Sequence, residues 1–279
     1  MEEEQNIQEE IIESNSNKPL KLLIYGGLLF AIGLIVLVVY YNNSPRYISY
    51  GNGFPPVRKT TINEQLKINR VLSDFTKHAV GIDISRHQGR IKWQNVKFVK
   101  DSITLDFLVI RSTMGSKAVD SRFIEYWNTD KDTSIVLGAY HYYRPNENST
   151  KQAKNYIDNV KLNKGDLPPI LDIEKRSSIQ SMSNLRKGLL NWLEIVETYY
   201  GVTPIIYSGD NFYKTFLYRP EFAKYPKWIA NYNDVKHPKT RDWCIWQFSE
   251  KAKIDGINEL VDLNVFNGDS LKLVDILID

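Results

Sequence analysis

Asp172 and Glu174 stand two residues apart at the end of a short apolar stretch that begins at Ile170. Pro168 and Pro169 keep a helix from running into it, so Ile170–Glu174 reads as a strand. Side chains alternate faces along a strand, which brings both carboxyls out on one side, roughly 6–7 Å apart at the backbone. Two acids that close perturb each other's proton affinity, as acid/base chemistry on an acid-labile bond requires. Acids at strand ends are also ordinary loop residues or ion-pair partners. The pair gains meaning only if other acids converge on it.

Two other acids occupy comparable places. Asp83 lies near the end of an apolar run at 80–85, and Asp262 lies on another at 261–266. If the first and last strands of a closed barrel are neighbours, both face the same mouth as the central pair. Burying four carboxylates together costs stability, so their convergence favours function over structure. Aromatic residues gather near the same strand ends: Tyr140, Tyr142, Tyr207, Trp228, Tyr232, Trp246 and Phe248. Together they suit stacking on sugar rings, where an apolar face meets polar edges. His141 alternates away from Tyr140 and Tyr142 and reads as a structural histidine.

The elements that must position these groups follow a regular rhythm from residue 79. Strand-like runs at 80–85, 106–111, 135–143, 170–174 and 203–207 alternate with helical patterns at 93–101, 121–131, 149–161, 182–200 and 210–217. Alternation of this kind implies parallel strands with crossover helices. Three further strands, 227–230, 243–248 and 261–266, follow with little helix between them. Five β-α units and three strands make eight, enough to close an irregular TIM-like α/β barrel with its site at the C-terminal ends of the strands. One domain is expected over 79–279.

Composition narrows the chemistry. Cys244 is the single cysteine among 279 residues, which excludes an intramolecular disulfide and a cysteine-based metal or redox motif. The four histidines form no i,i+4 pair, so no metal site and no cofactor are expected. Residues 1–44 carry six acids against two lysines, a net of −4, and the remainder carries 34 bases against 27 acids, a net of +7. A basic body suits an anionic polymer or membrane surface. No basic stripe is interleaved with aromatics, and no nucleic-acid partner is expected.

Leu22–Tyr41 is an uncharged run of 20 residues, long enough to cross a bilayer as a helix. The leader before it, 1–21, is acidic and lacks the basic start and small-residue cleavage site of a signal peptide, so 22–41 reads as an uncleaved transmembrane anchor. Positive charges flank both ends and give no orientation. Residues 42–78 read as a linker or stalk. Within them, 61–77 has helical spacing and could either pack on the domain or stand apart from it.

These motifs resemble glycoside hydrolase family 25, the muramidase (lysozyme) family with an irregular barrel of five β-α units and three strands. The resemblance rests on segments in the family's order: 81–85 with 87–89, 107–111, 138–142, 171–174, 204–207, 228–232, 246–249 and 261–264. It implies hydrolysis of the β-1,4 bond between N-acetylmuramic acid and N-acetylglucosamine in peptidoglycan glycan strands, with net retention. By position, Glu174 becomes the general acid and then the base for water, with Asp172 its partner and Asp83 and Asp262 completing an acidic floor. Tyr140, Tyr142, Tyr207, Trp228, Tyr232 and Gln247 become substrate contacts.

Two routes to retention stay open: direct attack by a carboxylate, or attack by the substrate's own acetamido oxygen, which the i,i+2 acid pair favours. Family members often carry Glu where this chain has Met114. Because peptidoglycan lies outside the cytoplasmic membrane, the resemblance also implies a single-pass protein with its N-terminus inside and its barrel outside. The alternative is an inactive, membrane-tethered adaptor that binds glycan, since a fold does not guarantee activity. Protein partners and oligomeric state are not legible.

Overall fold

The computed structural model describes residues 60–100, 102–129, 134–233 and 237–279. The tail 1–21, the apolar run 22–41 and the linker as far as residue 59 lie outside the described residues. Among the described residues, no helix is long and apolar enough to cross a membrane.

Helix α1 (Ile62–Asp74) opens with a capping box: the Thr61 hydroxyl accepts the Glu64 N–H, and the Glu64 carboxylate accepts the Thr61 N–H. Its buried stripe, Ile68, Val71 and Leu72, belongs to the main hydrophobic core. The ring of Phe75, just past its end, meets Trp246 at 5.8 Å. Of the two options for 61–77, packing on the domain is the one observed, and the folded body begins before Ala79.

The strands are β1 (Val80–Ile84), β2 (Phe98–Lys100), β3 (Ile103–Thr104), β4 (Phe107–Met114), β5 (Ala118–Val119), β6 (Val136–Tyr142), β7 (Ile170–Asp172), β8 (Ile205–Gly209), β9 (Lys227–Ala230), β10 (Trp243–Ala252) and β11 (Val261–Phe266). The helices after α1 are α2 (Phe123–Asn128), α3 (Ser149–Asn159), α4 (Met182–Tyr200), α5 (Asp210–Phe212) and α6 (Ser270–Val274). Eight strands close a ring in the order β1, β4, β6, β7, β8, β9, β10, β11, with β11 returning to β1.

Three details differ from the expected pattern. Among the described residues of 93–101 no α-helix forms: a short 3-10 turn at Trp93–Asn95 leads into the hairpin β2–β3. Val96 and Val99 are both buried, and their spacing of three mimics a helix turn, but the β-prone run Phe98–Lys100 pairs with Ile103–Thr104 instead. Of the helix expected at 121–131, the described residues form Phe123–Asn128, and that at 210–217 is one α-turn continued as a π-turn over Tyr213–Leu217. Finally, β11 runs antiparallel to both β10 and β1, whereas the other seven barrel strands are parallel.

Period-two alternation divides the strands into two layers. Leu108, Ile110, Leu171, Ile206, Ile229, Trp246 and Phe248 join the layer outside the barrel, under the helices. Phe107, Val109, Ile170, Ile205, Ile245 and Phe266 fill its interior. Gly81 is required there, because a Cβ at that position would stand 2.3 Å from the Phe107 ring. Trp246 and Phe248, expected around the mouth, therefore lie on the opposite face of β10. His141 also faces outward and is fully buried: Thr113 Oγ1 lies 2.7 Å from its Nδ1 and Gln152 Oε1 3.2 Å from its Nε2, and Trp192 stacks on its ring. Burial lowers its pKa to about 4, which keeps the ring neutral.

Candidate active site

Above the apolar filling, the inward positions near the C-terminal ends of the parallel strands turn polar. β7 ends at Asp172, and Glu174 follows two residues later, with Ile173 between them directed into the outer core. β1 supplies Asp83. Asp262 is only the second residue of β11, and the antiparallel direction of that strand places it opposite Asp83 in the register. A parallel eighth strand would have put Asp262 at the far end of the barrel. Asp83, Asp172, Glu174 and Asp262 line one cavity together with Tyr140, Tyr207 and Trp228.

The floor of this cavity is a network of amides. Gln247 Nε2 donates to Asp83 Oδ2 at 2.7 Å and to Asp262 Oδ2 at 3.4 Å. Its Oε1 accepts the hydroxyls of Tyr207, at 2.8 Å, and Tyr232. Asn264 Nδ2 donates to the same Asp83 oxygen at 2.7 Å, while its own Oδ1 accepts the Trp228 indole N–H at 2.8 Å. Gln247, expected to touch substrate, is instead buried beneath the cavity with its polar atoms committed to four partners. Trp228 is likewise buried and serves as wall and anchor for Asn264. Tyr140 and Tyr207 stand at the cavity itself, and the Tyr142 hydroxyl favours the charged form of Glu174.

The electrostatics follow from burial. Removal from water raises the pKa of Asp172 well above the carboxylate range, reinforced by the charges of Glu174 and Asp83 and opposed by Arg111. Asp172 Oδ1 has no hydrogen-bond partner although it is buried. Burial also raises Glu174, against the Tyr142 hydroxyl and Lys175, which favour its charged form. The Glu174 side chain still opens to solvent along the cleft. Burial is again the first cause for Asp262, raised to about 9, followed by the Asp83 charge beside it. Asp83 is also raised by burial despite the amides that hold it, so Asp83 and Asp262 titrate as a coupled pair.

Two supporting groups escaped the sequence reading. Asn264 lies two residues from Asp262 on the same strand face, so the alternation that paired Asp172 with Glu174 could have found it. Arg111 is held by Asp120 through Nε at 2.8 Å and Nη2 at 2.7 Å, and it places a positive charge near Asp172 and the tyrosines. That pairing depends on a loop contact with no signature in local spacing. From Glu174 and Tyr207 a wider cleft continues past Asn211, Phe212, Asn231, Tyr232 and Lys239. Asp210 pins its wall, accepting from Asn231 Nδ2 at 2.7 Å and from the backbone N–H groups of Lys239 and Thr240.

An acidic cavity at the mouth of a barrel with seven parallel strands, flanked by tyrosines and opening into a long cleft, is suited to a sugar polymer. The profile described as Glycosyl hydrolases family 25 matches residues 82–257. The chain belongs to this family. It is a glycoside hydrolase. Among its relatives, an Escherichia coli (strain K12) protein of uncharacterised function, YegX, is 38% identical over 255 residues, covering 87% of this chain and 90% of the relative. Lysozyme M1 from Streptomyces globisporus is 30% identical over 214 residues, 71% of each chain. The crystal structure of a bacterial lysozyme from Streptomyces coelicolor superposes with a TM-score of 0.65 at 28% identity, covering 72% of this chain and 97% of that one.

Proposed function

We propose that the chain is an N-acetylmuramidase that cleaves the β-1,4 bond between N-acetylmuramic acid and N-acetylglucosamine in peptidoglycan, with net retention. The observation that carries this reading is the single cavity shared by Asp83, Asp172, Glu174 and Asp262, in which burial raises the proton affinity of all four acids. The relatives described as lysozymes support the substrate class.

Glu174 is the general acid. Its raised pKa keeps a proton available, and its opening to the cleft lets that proton reach the glycosidic oxygen. Substrate assistance follows from Asp172, whose Oδ1 is buried, unpartnered and in the same cavity. The acetamido carbonyl oxygen of the substrate attacks C1, the C1–O bond breaks, and the Glu174 proton passes to the leaving oxygen. Meanwhile the acetamido N–H becomes acidic, and a carboxylate of raised proton affinity at Asp172 is a matched acceptor for it. Water then attacks C1 and gives its proton to Glu174 while Asp172 returns its proton to the acetamido nitrogen, which restores the acetamido group and the catalyst.

Residues 22–41 are proposed to anchor the enzyme in the cytoplasmic membrane with the barrel outside, which holds it within reach of the wall and raises its local concentration there. The test of the catalytic reading is release of reducing ends from purified peptidoglycan by wild type and by Glu174→Gln. Equal release by both would overturn it.

A further inference from the structure

The inward face of β4 ends on a charge. Phe107 and Val109 fill the barrel interior, and Arg111 continues the same face of the strand. A bulge between Arg111 and Thr113 then reverses the alternation. Arg111 stays in register with Tyr140, which lines the acid cavity, whereas Thr113 turns outward to His141.

The guanidinium is fixed in place. The Arg111 and Asp120 side chains are 12% and 1% exposed, and Nε and Nη2 of Arg111 both donate to Asp120 Oδ2, at 2.8 and 2.7 Å. The same carboxylate accepts the backbone N–H groups of Arg86 at 3.2 Å and Arg122 at 3.0 Å, which anchors it to the segments after β1 and β5. The pair has a direction. Asp120 acts on Tyr126 of α2, while Arg111 acts on Tyr140, Tyr142 and Asp172, so the positive end is turned toward the acids. Burial keeps solvent from screening it.

The described groups that face Asp172 are otherwise acids and phenols. Glu174 follows on its own segment, Asp83 comes from β1 and Asp262 from β11, and Tyr140, Tyr142 and Tyr207 come from β6 and β8. Burial pushes the Tyr142 hydroxyl up to about 12 and raises the other two phenols as well, so all three stay neutral. The reaction needs this crowd divided. Glu174 must hold a proton, and Asp172 must lack one if it is to take the acetamido proton. Burial drives protons onto both. Arg111 opposes that drive at Asp172, whereas Lys175 is the cation acting on Glu174.

We propose that Arg111, clamped by Asp120, is a positioning residue that acts through Asp172: its fixed charge keeps that carboxyl ionised while Glu174 stays protonated. The assignment deepens the muramidase reading and rests on it for the step that Asp172 serves.

The test compares pH profiles of kcat/KM on purified peptidoglycan for full-length wild type, Arg111→Met, Arg111→Lys and the double variant Arg111→Met/Asp120→Asn, alongside melting curves. Activity scales with the fraction of enzyme that has Asp172 ionised and Glu174 protonated. Removing the cation makes the first condition rarer at acid pH and leaves the second alone. Arg111→Met should therefore lose about tenfold at acid pH and converge on wild type as pH rises, with the alkaline fall unmoved. Arg111→Lys keeps the charge without the two-pronged grip and should restore most of the acid side. The double variant also removes the buried carboxylate that Arg111→Met strands, so it should regain stability yet keep the acid-side loss. A loss uniform across pH, or recovery of the acid side in the double variant, would leave Arg111 a holder of loops and overturns the proposal.

Absence of new reducing ends from wild type would instead sink the muramidase reading, and titration then decides the charge relation. The isotope-labelled Asp172 carboxyl, identified in NMR spectra by its loss in Asp172→Asn, should titrate about one pH unit higher in the double variant than in wild type. An unmoved or lowered midpoint overturns the proposal.

Discussion

Glu174 combines two properties that seldom coincide, a proton affinity raised by burial and a side chain that solvent and substrate can reach. Its replacement by Gln keeps the size but removes the proton. The expected loss is about 10²–10⁴-fold in kcat on peptidoglycan with unchanged thermal stability, read by reducing-end release and a melting curve. The pH profile carries a sign. Because the folded-state pKa of Glu174 lies above its ordinary value, the protonated acid persists above pH 4.5, and kcat/KM should fall as pH rises through that raised value. An alkaline limb at the ordinary glutamate pKa would contradict the assignment. For Asp172, the decisive substrate is one whose acetamido carbonyl is replaced so that it cannot attack. Turnover of it at the normal rate would remove substrate assistance and return Asp172 to the role of nucleophile.

At the scale of elements, what matters is direction and alternation. Alternation was readable residue by residue: it separated His141 from Tyr140 and Tyr142, and it set Asp172 and Glu174 on one side of the chain. Direction was not, because antiparallel β11 depends on pairing partners far apart in sequence, and that direction brings Asp262 to the mouth. The hairpin β2–β3 escaped for a related reason, since two buried valines three residues apart satisfy either a helix or a strand. Trp246 and Phe248 were assigned to the mouth by strand membership alone, whereas their register turns them toward α1. Helix α1 is part of the folded unit, and its loss should be felt globally. Leu72→Ala, at a fully packed position, should cost about 2–5 kcal/mol in chemical denaturation, and Thr61→Ala at the capping box about 1 kcal/mol. No loss at Leu72 would mean that α1 stands free of the barrel.

For the whole molecule, the acidic cavity is a source of pH-dependent instability. Asp83, Asp172, Glu174 and Asp262 all bind protons more tightly when folded than when unfolded, so the native state takes up protons. Stability therefore falls as pH rises from the ordinary carboxylate range toward the folded values, up to about 9 for Asp262. Asp262→Asn removes one such group while keeping its shape. It should raise Tm at pH 8 by about 2–4 °C for each kcal/mol relieved, and by less at pH 5. A larger gain at pH 5 than at pH 8 would reverse the sign and contradict the account. The cost to activity of that gain would be the trade-off expected of a strained site.

The most direct test of the whole account is the identity of the sugar at each new reducing end. Purified peptidoglycan is digested with the full-length protein, the new ends are reduced with borohydride, and the resulting sugar alcohols are identified. A muramidase leaves N-acetylmuramic acid at the end, recovered as muramitol, and Glu174→Gln abolishes the signal. Recovery of glucosaminitol, or of no new ends from wild type, would contradict the assignment of bond and reaction.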